Sequence, residues 1–393
     1  MDSLDFPQKG KFLTGLQVPS IYTSNSSSSS WASRAHLPYF NDSSLYKVTA
    51  LQNSSKASAD AAAKEYSLQD VATYDNASDI ASDPNIDIVA VSVNVPEHYA
   101  LTRPAIEAGK DVFVEWPLAR NLAEAEELVQ LAKAKKVRTM VGLQARQNPS
   151  ILKAKELVES GKLGRILNST MYGHGLIFGP TVHEGFLYGL PVEAGANLLT
   201  IPFGHAVDAL CYVLGELKDI SAALANLRPE VDVLGADGKP ARKVQKTAHD
   251  QVSVTGVLAN GGGVVNCTYA GSLSRTGRNF YWEINGTEGS LVLDGLTAGG
   301  HVQIWQPTVK LALHNPEVAM YSVPTDDTTK LEEVEVEKAT EMSANVGRAW
   351  DAWAGEGLEK GYTVTTFEDA LVRHKMIDAI YRSAEQGTRE NYL

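Results

Sequence analysis

The 393-residue chain is short of cysteine, and Cys211 and Cys267 alone are too few for a disulfide framework or a thiolate zinc site. It is also short of positive charge, with 35 Lys and Arg against 47 Asp and Glu. The resulting net charge of −12 leaves no basic excess to displace phosphate counterions, which excludes a dedicated nucleic-acid binder. No apolar run approaches the ~18 residues that a membrane span needs. The opening MDSLDFPQKGK has neither the basic start nor the apolar stretch of a secretory signal. These absences predict a soluble, reduced, cytoplasmic protein with no membrane partner and no metal site. Apolar residues make up 44% of the chain, enough for a globular core, and the length accommodates two domains.

Short apolar runs alternate with helical patterns as far as about Gln144. The runs are Phe12–Leu16, Lys47–Leu51, Ile86–Val93, Val112–Val114 and Thr139–Leu143; the helical stretches are Ala57–Tyr66, Glu97–Ala108 and Leu122–Lys135. Near-continuous apolar strands separated by helices predict a doubly wound, Rossmann-type parallel sheet over residues 1–145. After Pro149 the pattern changes. Helices are expected at Ser150–Ser160 and Ala196–Leu214, then strands at Gln251–Leu258, Gly263–Ala270, Asn279–Gly286 and Ser290–Asp294, and late helices at Ala344–Trp353 and Phe367–Ser383. Residues 146–393 thus read as an α+β domain with an open, mostly antiparallel sheet.

Three segments together resemble the glucose–fructose oxidoreductase and inositol dehydrogenase (Gfo/Idh/MocA) family: Val93-Asn94-Val95-Pro96-Glu97-His98, Ala108-Gly109-Lys110-Asp111-Val112-Phe113-Val114-Glu115-Trp116-Pro117, and Phe203-Gly204-His205-Ala206-Val207-Asp208. Within it, Trp31-Ala32-Ser33-Arg34-Ala35-His36-Leu37-Pro38, Leu143-Gln144-Ala145-Arg146 and Leu199–His205 are similar to the fungal branch that contains the galactose-pathway repressor. The resemblance implies a cofactor site with Gly15, Ser30 and Trp31 at the first turn, and Ser54, Ser55 and Lys56 after the second strand. Asn94, Pro96, His98, Glu115, Gln144 and Arg146 complete it. It also implies a homodimer through the second-half sheet.

The phosphate loop departs from the expected form. Gln17–Ser30 contains no glycine, so no GxGxxG can be written, and Ser30 stands where the family's last glycine is expected. Either the serines of Ser26–Ser30 hold phosphate at the helix start, or the tract is a solvated loop and the phosphate site is broken. After the second strand, Asn53-Ser54-Ser55-Lys56 has no carboxylate for a ribose 2′-hydroxyl, which favours NADP over NAD if a dinucleotide binds; the alternative is a polar turn entering a helix.

The resemblance also marks losses. The family's Glu-Lys-Pro is here Glu115-Trp116-Pro117, and indole carries no titratable proton in the working range. Ile201 stands four residues before His205, where the family has an aspartate. His205 and Asp208, at i and i+3, read as an imidazole acid/base held by a carboxylate, or as a structural pair. Tyr172 and His174, with His183, Glu184 and Tyr188 following, are expected to border the cleft and suit an aromatic or polyene substrate better than a sugar. Three functions follow. The first is a fungal secondary-metabolite enzyme that performs acid/base isomerisation or cyclisation with Trp116, Glu115, Tyr172, His174, His205 and Asp208. The second is an NADP-dependent oxidoreductase of a carbonyl or hydroxyl substrate, and the third is a non-catalytic repressor or sensor.

Overall fold

The computed structural model describes residues 12–17, as backbone only, together with 30–295, 300–314, 330–339 and 341–393. Six parallel strands open the chain: β1 (Phe12–Gln17), β2 (Tyr46–Gln52), β3 (Ala72–Tyr74), β4 (Ile88–Val91), β5 (Asp111–Glu115) and β6 (Thr139–Gly142), in the order β3-β2-β1-β4-β5-β6. The connecting helices are α1 (Leu37–Asp42), entered through a π-helical turn at Ala32–His36, α2 (Lys56–Glu65), α3 (Ala77–Ser82), α4 (His98–Glu107) and α5 (Leu122–Lys135). Both sheet faces are covered, which is why the strands read as continuous apolar runs. Along β4, Ile88 and Ala90 join one buried cluster with Phe113 and Met140, whereas Val89 and Val91 join another with Val112, Val114 and Val141.

The second half begins with α6 (Pro149–Glu159), β7 (Ile166–Gly175), β8 (Thr181–His183), α7 (Gly204–Leu214) and β9 (Leu217–Ala225). Next come β10 (Glu230–Leu234), β11 (Pro240–Gln245), β12 (Gln251–Leu258), β13 (Val264–Gly271), β14 (Phe280–Gly286), β15 (Gly289–Gly295), β16 (Thr308–Leu313) and β17 (Glu332–Val334). Eight of these strands form one sheet, β17-β16-β15-β14-β7-β13-β12-β9, antiparallel throughout except for the parallel pair β7 and β13. A separate three-stranded sheet, β11-β10-β8, carries its own small apolar cluster. One face of the large sheet is buried (Met171, Cys267, Val254, Trp282) and the other is exposed and polar (Thr170, Thr268, Ser253).

Two helices end the chain. α8 (Ala344–Trp353) completes the first sheet's cluster: Trp350 and Trp353 pack there with Phe40, Tyr46 and Phe113, and the Tyr46 hydroxyl donates to the Trp350 carbonyl at 2.6 Å. α9 (Phe367–Gln386) lies against α5 and β9, and a Thr366/Asp369 capping box starts it. The expected single helix over Ala196–Leu214 is instead a π-helical turn, Leu199–Phe203, followed by α7. Pro202 cannot donate an amide, and Asn197 Oδ1 takes the amides of Leu199 and Thr200.

Candidate functional site

Glu115 closes β5 at the carboxyl edge of the parallel sheet. Its Oε1 accepts from Trp31 Nε1 at 2.7 Å and from His36 Nε2 at 2.5 Å. The Trp350 indole, which can only donate, reaches His36 Nδ1 at 3.1 Å. His36 Nδ1 is therefore the acceptor, and the ring proton sits on Nε2, facing the carboxylate. His36 and Trp350 are fully buried.

The Trp116–Pro117 peptide is cis. The Trp116 side chain, 4% exposed, donates from Nε1 to the Thr200 carbonyl at 2.7 Å and packs 5.0 Å from the His374 ring. The indole therefore occupies the position of the family's lysine and spends its one donor on the turn before α7. Behind it, His98 Nδ1 donates to the Pro117 carbonyl at 2.7 Å and ties the turn after β4 to the turn after β5. Burial lowers the pKa of His98 and takes that of His374 down to about 3.

The pairing expected between His205 and Asp208 does not form. Asp208 is fully buried and receives a fork from Arg146, Nε to Oδ2 and Nη2 to Oδ1, both at 2.8 Å, with Arg373 Nε 3.4 Å away. Burial works to raise the Asp208 pKa, but the Arg146 and Arg373 guanidiniums outweigh it and hold the carboxyl below its ordinary range. Arg373 continues to Glu216, Nη2 to Oε1 at 2.6 Å. Arg146, expected at the cofactor, is thus committed to a buried ion network. His205 Nδ1 has no hydrogen-bond partner among the described residues; burial, with His301 adding to it, drives the ring down to about 3. Its neighbour His301 falls to about 4 through burial and accepts the Leu176 amide on Nε2 at 3.3 Å. Both rings are neutral at ordinary pH.

Tyr172 and His174 do come together, as i and i+2 on β7. The tyrosine hydroxyl donates to His174 Nε2, and Nδ1 donates to the Ser272 carbonyl at 3.0 Å. Burial lowers the His174 pKa. The expectation that they face the cleft with His205 is overturned by strand alternation. Gly173 pairs with Tyr269, whose ring meets Phe203, just ahead of His205 on the chain, at 5.6 Å. Residues 172 and 174 therefore point to the opposite, open face. Of the other residues expected there, His183 and Glu184 are exposed, and Glu184 pairs with Arg242 at 2.6 Å.

The remaining cofactor positions divide. Gly15 lies in β1 at a register shift, and Ser26–Ser29 fall outside the described residues. The Ser30 hydroxyl accepts the Ser33 amide at 3.2 Å, so it caps the turn that begins at Trp31. Ser55 caps α2 by accepting from the Ser58 amide, and Lys56 donates to the Thr73 carbonyl at 2.6 Å, so both are engaged as in a polar turn entering a helix. Ser54 and Asn94 are exposed, and Pro96 is half-buried in a 3₁₀ turn, Val95–Glu97. Three buried side-chain atoms along the carboxyl edge have no hydrogen-bond partner among the described residues: Gln52 Oε1, Ser92 Oγ and Gln144 Oε1. They follow or close β2, β4 and β6, where folds of this topology receive ligands, and the residues present fit a dinucleotide there. Among the described residues no group of three or more His, Cys, Asp or Glu could hold a metal, and no helix is long and apolar enough to cross a membrane. His36, His301, His374 and Trp350 were not picked out by the sequence; His36 lies inside the Trp31–Pro38 motif, and the other three carry no local signal.

Comparison with known proteins agrees with this architecture. Residues 29–143 match the model of the oxidoreductase family with an NAD-binding Rossmann fold, and residues 149–295 match the Gal80p C-terminal domain model. The chain is 34% identical over 347 residues to the dehydrogenase aclE of Aspergillus oryzae, covering 88% of this chain and 89% of that one. It is 26% identical over 400 residues to the galactose/lactose metabolism regulatory protein GAL80 of Saccharomyces cerevisiae, covering 92% and 91%. A super-repressor mutant of Gal80p from Saccharomyces cerevisiae superposes with a TM-score of 0.83 at 25% identity, over 97% of this chain and 98% of that one. Levoglucosan dehydrogenase in complex with NADH and levoglucosan shares the fold, with a TM-score of 0.76 at 20% identity over 98% and 100%. Parallel sheet, Gal80-like second half and full-length likeness to aclE together make this chain a member of the Gfo/Idh/MocA oxidoreductase family, in its Gal80-like fungal branch.

Proposed function

We propose that the chain binds a nicotinamide dinucleotide along the carboxyl edge of the six-stranded sheet and reduces a small, largely apolar carbonyl compound in the adjoining crevice. The observation that carries this reading is the row of buried atoms with no partner among the described residues, Gln52 Oε1, Ser92 Oγ and Gln144 Oε1. Each unpaired buried polar atom costs about 1–3 kcal/mol, and three along one edge call for a polar ligand. When bound, the dinucleotide supplies the hydride; Gln52, Ser92, Glu115 and Gln144 would hold it. NADP is favoured over NAD because no carboxylate closes β2, and its 2′-phosphate would meet Ser54 and draw Lys56 away from Thr73.

His205 is uncharged and offers a substrate carbonyl a neutral imidazole, a hydrogen-bond partner but not an acid. The loss of the lysine bears equally on reduction and on polyol oxidation, and with His205 not an acid the proton for the reduced oxygen comes from solvent. Leu176, whose amide bonds His301, and its chain neighbour Ile177 stand 39% and 49% exposed, which suits an apolar substrate better than a sugar. The isomerase or cyclase reading draws on Tyr172 and His174 together with Trp116 and His205, and the turning of Tyr172 and His174 to the other face of β7 counts against it. A second reading, dinucleotide binding without turnover, draws on Trp116 being closed off against Thr200. We further propose a cytoplasmic homodimer joined through the open sheet face, checked by light scattering and fractionation.

Isothermal titration with NADP(H) and NAD(H), followed by NADPH absorbance with a panel of apolar ketones and aldehydes, tests the proposal. Micromolar binding with oxidation of NADPH supports it. Binding without turnover across the panel selects the second reading, and a folded protein that binds neither nucleotide at millimolar concentration refutes both.

A further inference from the structure

Glu115 stands out among the buried carboxylates. Asp208 and Asp250 each sit against a lysine or arginine, whereas no Lys or Arg pairs with Glu115 among the described residues. Its partners are one indole, Trp31, and one imidazole, His36, both at Oε1, and a second indole, Trp350, stands behind His36. Oε2 accepts none of those bonds. It runs along the end of β6 instead, where a Cβ on Gly142 would collide with it, so the glycine keeps that oxygen's place open. The carboxylate is anchored at one oxygen and offered at the other, between Ser92 Oγ after β4 and Gln144 Oε1 after β6, both without a partner among the described residues.

The anchoring depends on parts of the chain far apart. Trp350 belongs to α8, 314 positions from His36. Its indole N–H decides which nitrogen of His36 carries the proton, because a ring with Nδ1–H would set donor against donor. With Nδ1 accepting, Nε2–H must donate, and the acceptor it meets among the described residues is Glu115 Oε1. Phe113 and Phe40 hold the imidazole at ring distances of 5.0 and 6.1 Å, so it has no other setting to turn to. The second donor on Oε1, Trp31, starts the helix that follows the phosphate-loop region.

We propose that His36 and Trp350 are positioning residues that fix the Glu115 carboxylate so that Oε2 accepts a hydrogen bond from a hydroxyl or amide donor of the bound ligand. The proposal rests on the dinucleotide reading for the identity of that ligand. His36 and Trp350 touch no ligand themselves; they set the direction of the carboxylate. Gln at position 36 reproduces the function, its amide nitrogen donating to Glu115 and its oxygen accepting from Trp350. Leu reproduces only the packing.

The experiment compares wild type with His36→Leu, His36→Gln, Trp350→Phe and Gly142→Ala, using NADPH as the titrant. His36→Leu and Gly142→Ala are expected to weaken NADPH binding roughly tenfold or more, Trp350→Phe several-fold, and His36→Gln is expected to restore affinity to within a few-fold of wild type. Equal affinity in wild type and His36→Leu overturns the proposal, as does failure of His36→Gln to recover affinity when its melting temperature matches wild type. A ligand-free measurement separates the relay from the function. The indole ¹H–¹⁵N resonance of Trp31 is expected to shift in His36→Leu and return in His36→Gln. If wild type binds no dinucleotide, the dinucleotide reading fails, and this resonance alone judges the relay: an unmoved Trp31 signal overturns it.

Discussion

Replacing Asp208 by Asn is the most informative single change in this protein. The side chain keeps its size and one acceptor oxygen but loses the charge that two guanidiniums share. Arg146 meets Asp208 through two bonds of 2.8 Å, and Arg373 approaches at 3.4 Å, all with Asp208 fully buried. Removing one partner of a buried ion pair costs about 3–5 kcal/mol, because the other charge is left uncompensated. Arg373 retains Glu216 at 2.6 Å and Arg146 retains Asp369 at 3.4 Å, so the expected loss lies at the low end, about 3 kcal/mol. With a urea slope near ~3 kcal/mol per molar, the unfolding midpoint falls by about 1 M. The loss also has a pH signature. A carboxyl held below its unfolded pKa stabilises the fold above that pKa and ceases to do so as pH drops through the folded value. The gap between wild type and Asp208→Asn is therefore widest above about pH 5 and narrows toward pH 3. Urea titrations across that range measure it. A midpoint within ~0.3 M of wild type at pH 7 would refute the network, and a loss of turnover with stability intact would return Asp208 to His205 as its carboxylate.

Further predictions concern the same region and the helix ends. Gly204→Ala places a methyl 2.8 Å from Trp116 Nε1 and must break the bond to Thr200, so denaturant titration is expected to show a loss of about 1–3 kcal/mol. The imidazole NMR signals of His205 and His374 are expected to stay flat from pH 5 to 8, since both titrate near 3; a midpoint near 6 would show that the rings are wet. These depressed values, with His301 near 4, mean that unfolding takes up protons, so stability should rise between about pH 4 and 6.5 and level off above. Thr366→Ala removes the capping box of α9 and should cost about 1 kcal/mol in thermal or urea unfolding.

The strands of the first sheet were legible because burial on both faces leaves runs such as Ile88–Val91 wholly apolar. β3 escaped because three half-buried residues make no pattern. β7 escaped for a different reason. Its inward positions include Gly173 and Gly175, and the bulk that fills the space above Gly173 is the ring of Tyr269 on the neighbouring strand. The strand's own sequence therefore carries little hydrophobic signal. The candidate site divided in the same way. Trp116 and Ile201 could be read as losses, because each is a change of residue type at one place in a local motif. The fate of Asp208 could not, since its partners Arg146 and Arg373 lie 62 and 165 positions away. Tyr172 and His174 were recognised as a pair, but proximity in sequence to the His205 helix says nothing about which face of a strand they occupy.

The return of α8 to the first sheet bears on how the chain matures during synthesis. Phe40, Tyr46 and Phe113 are all made well before the indoles of Trp350 and Trp353 that cover them. Until those residues leave the ribosome, the nascent first sheet presents an aromatic surface to the surrounding medium. A chain interrupted before residue 344 keeps that surface permanently. The first sheet is thus made before α8 but finished only with it, and its dependence on chaperones should last until α8 has been made.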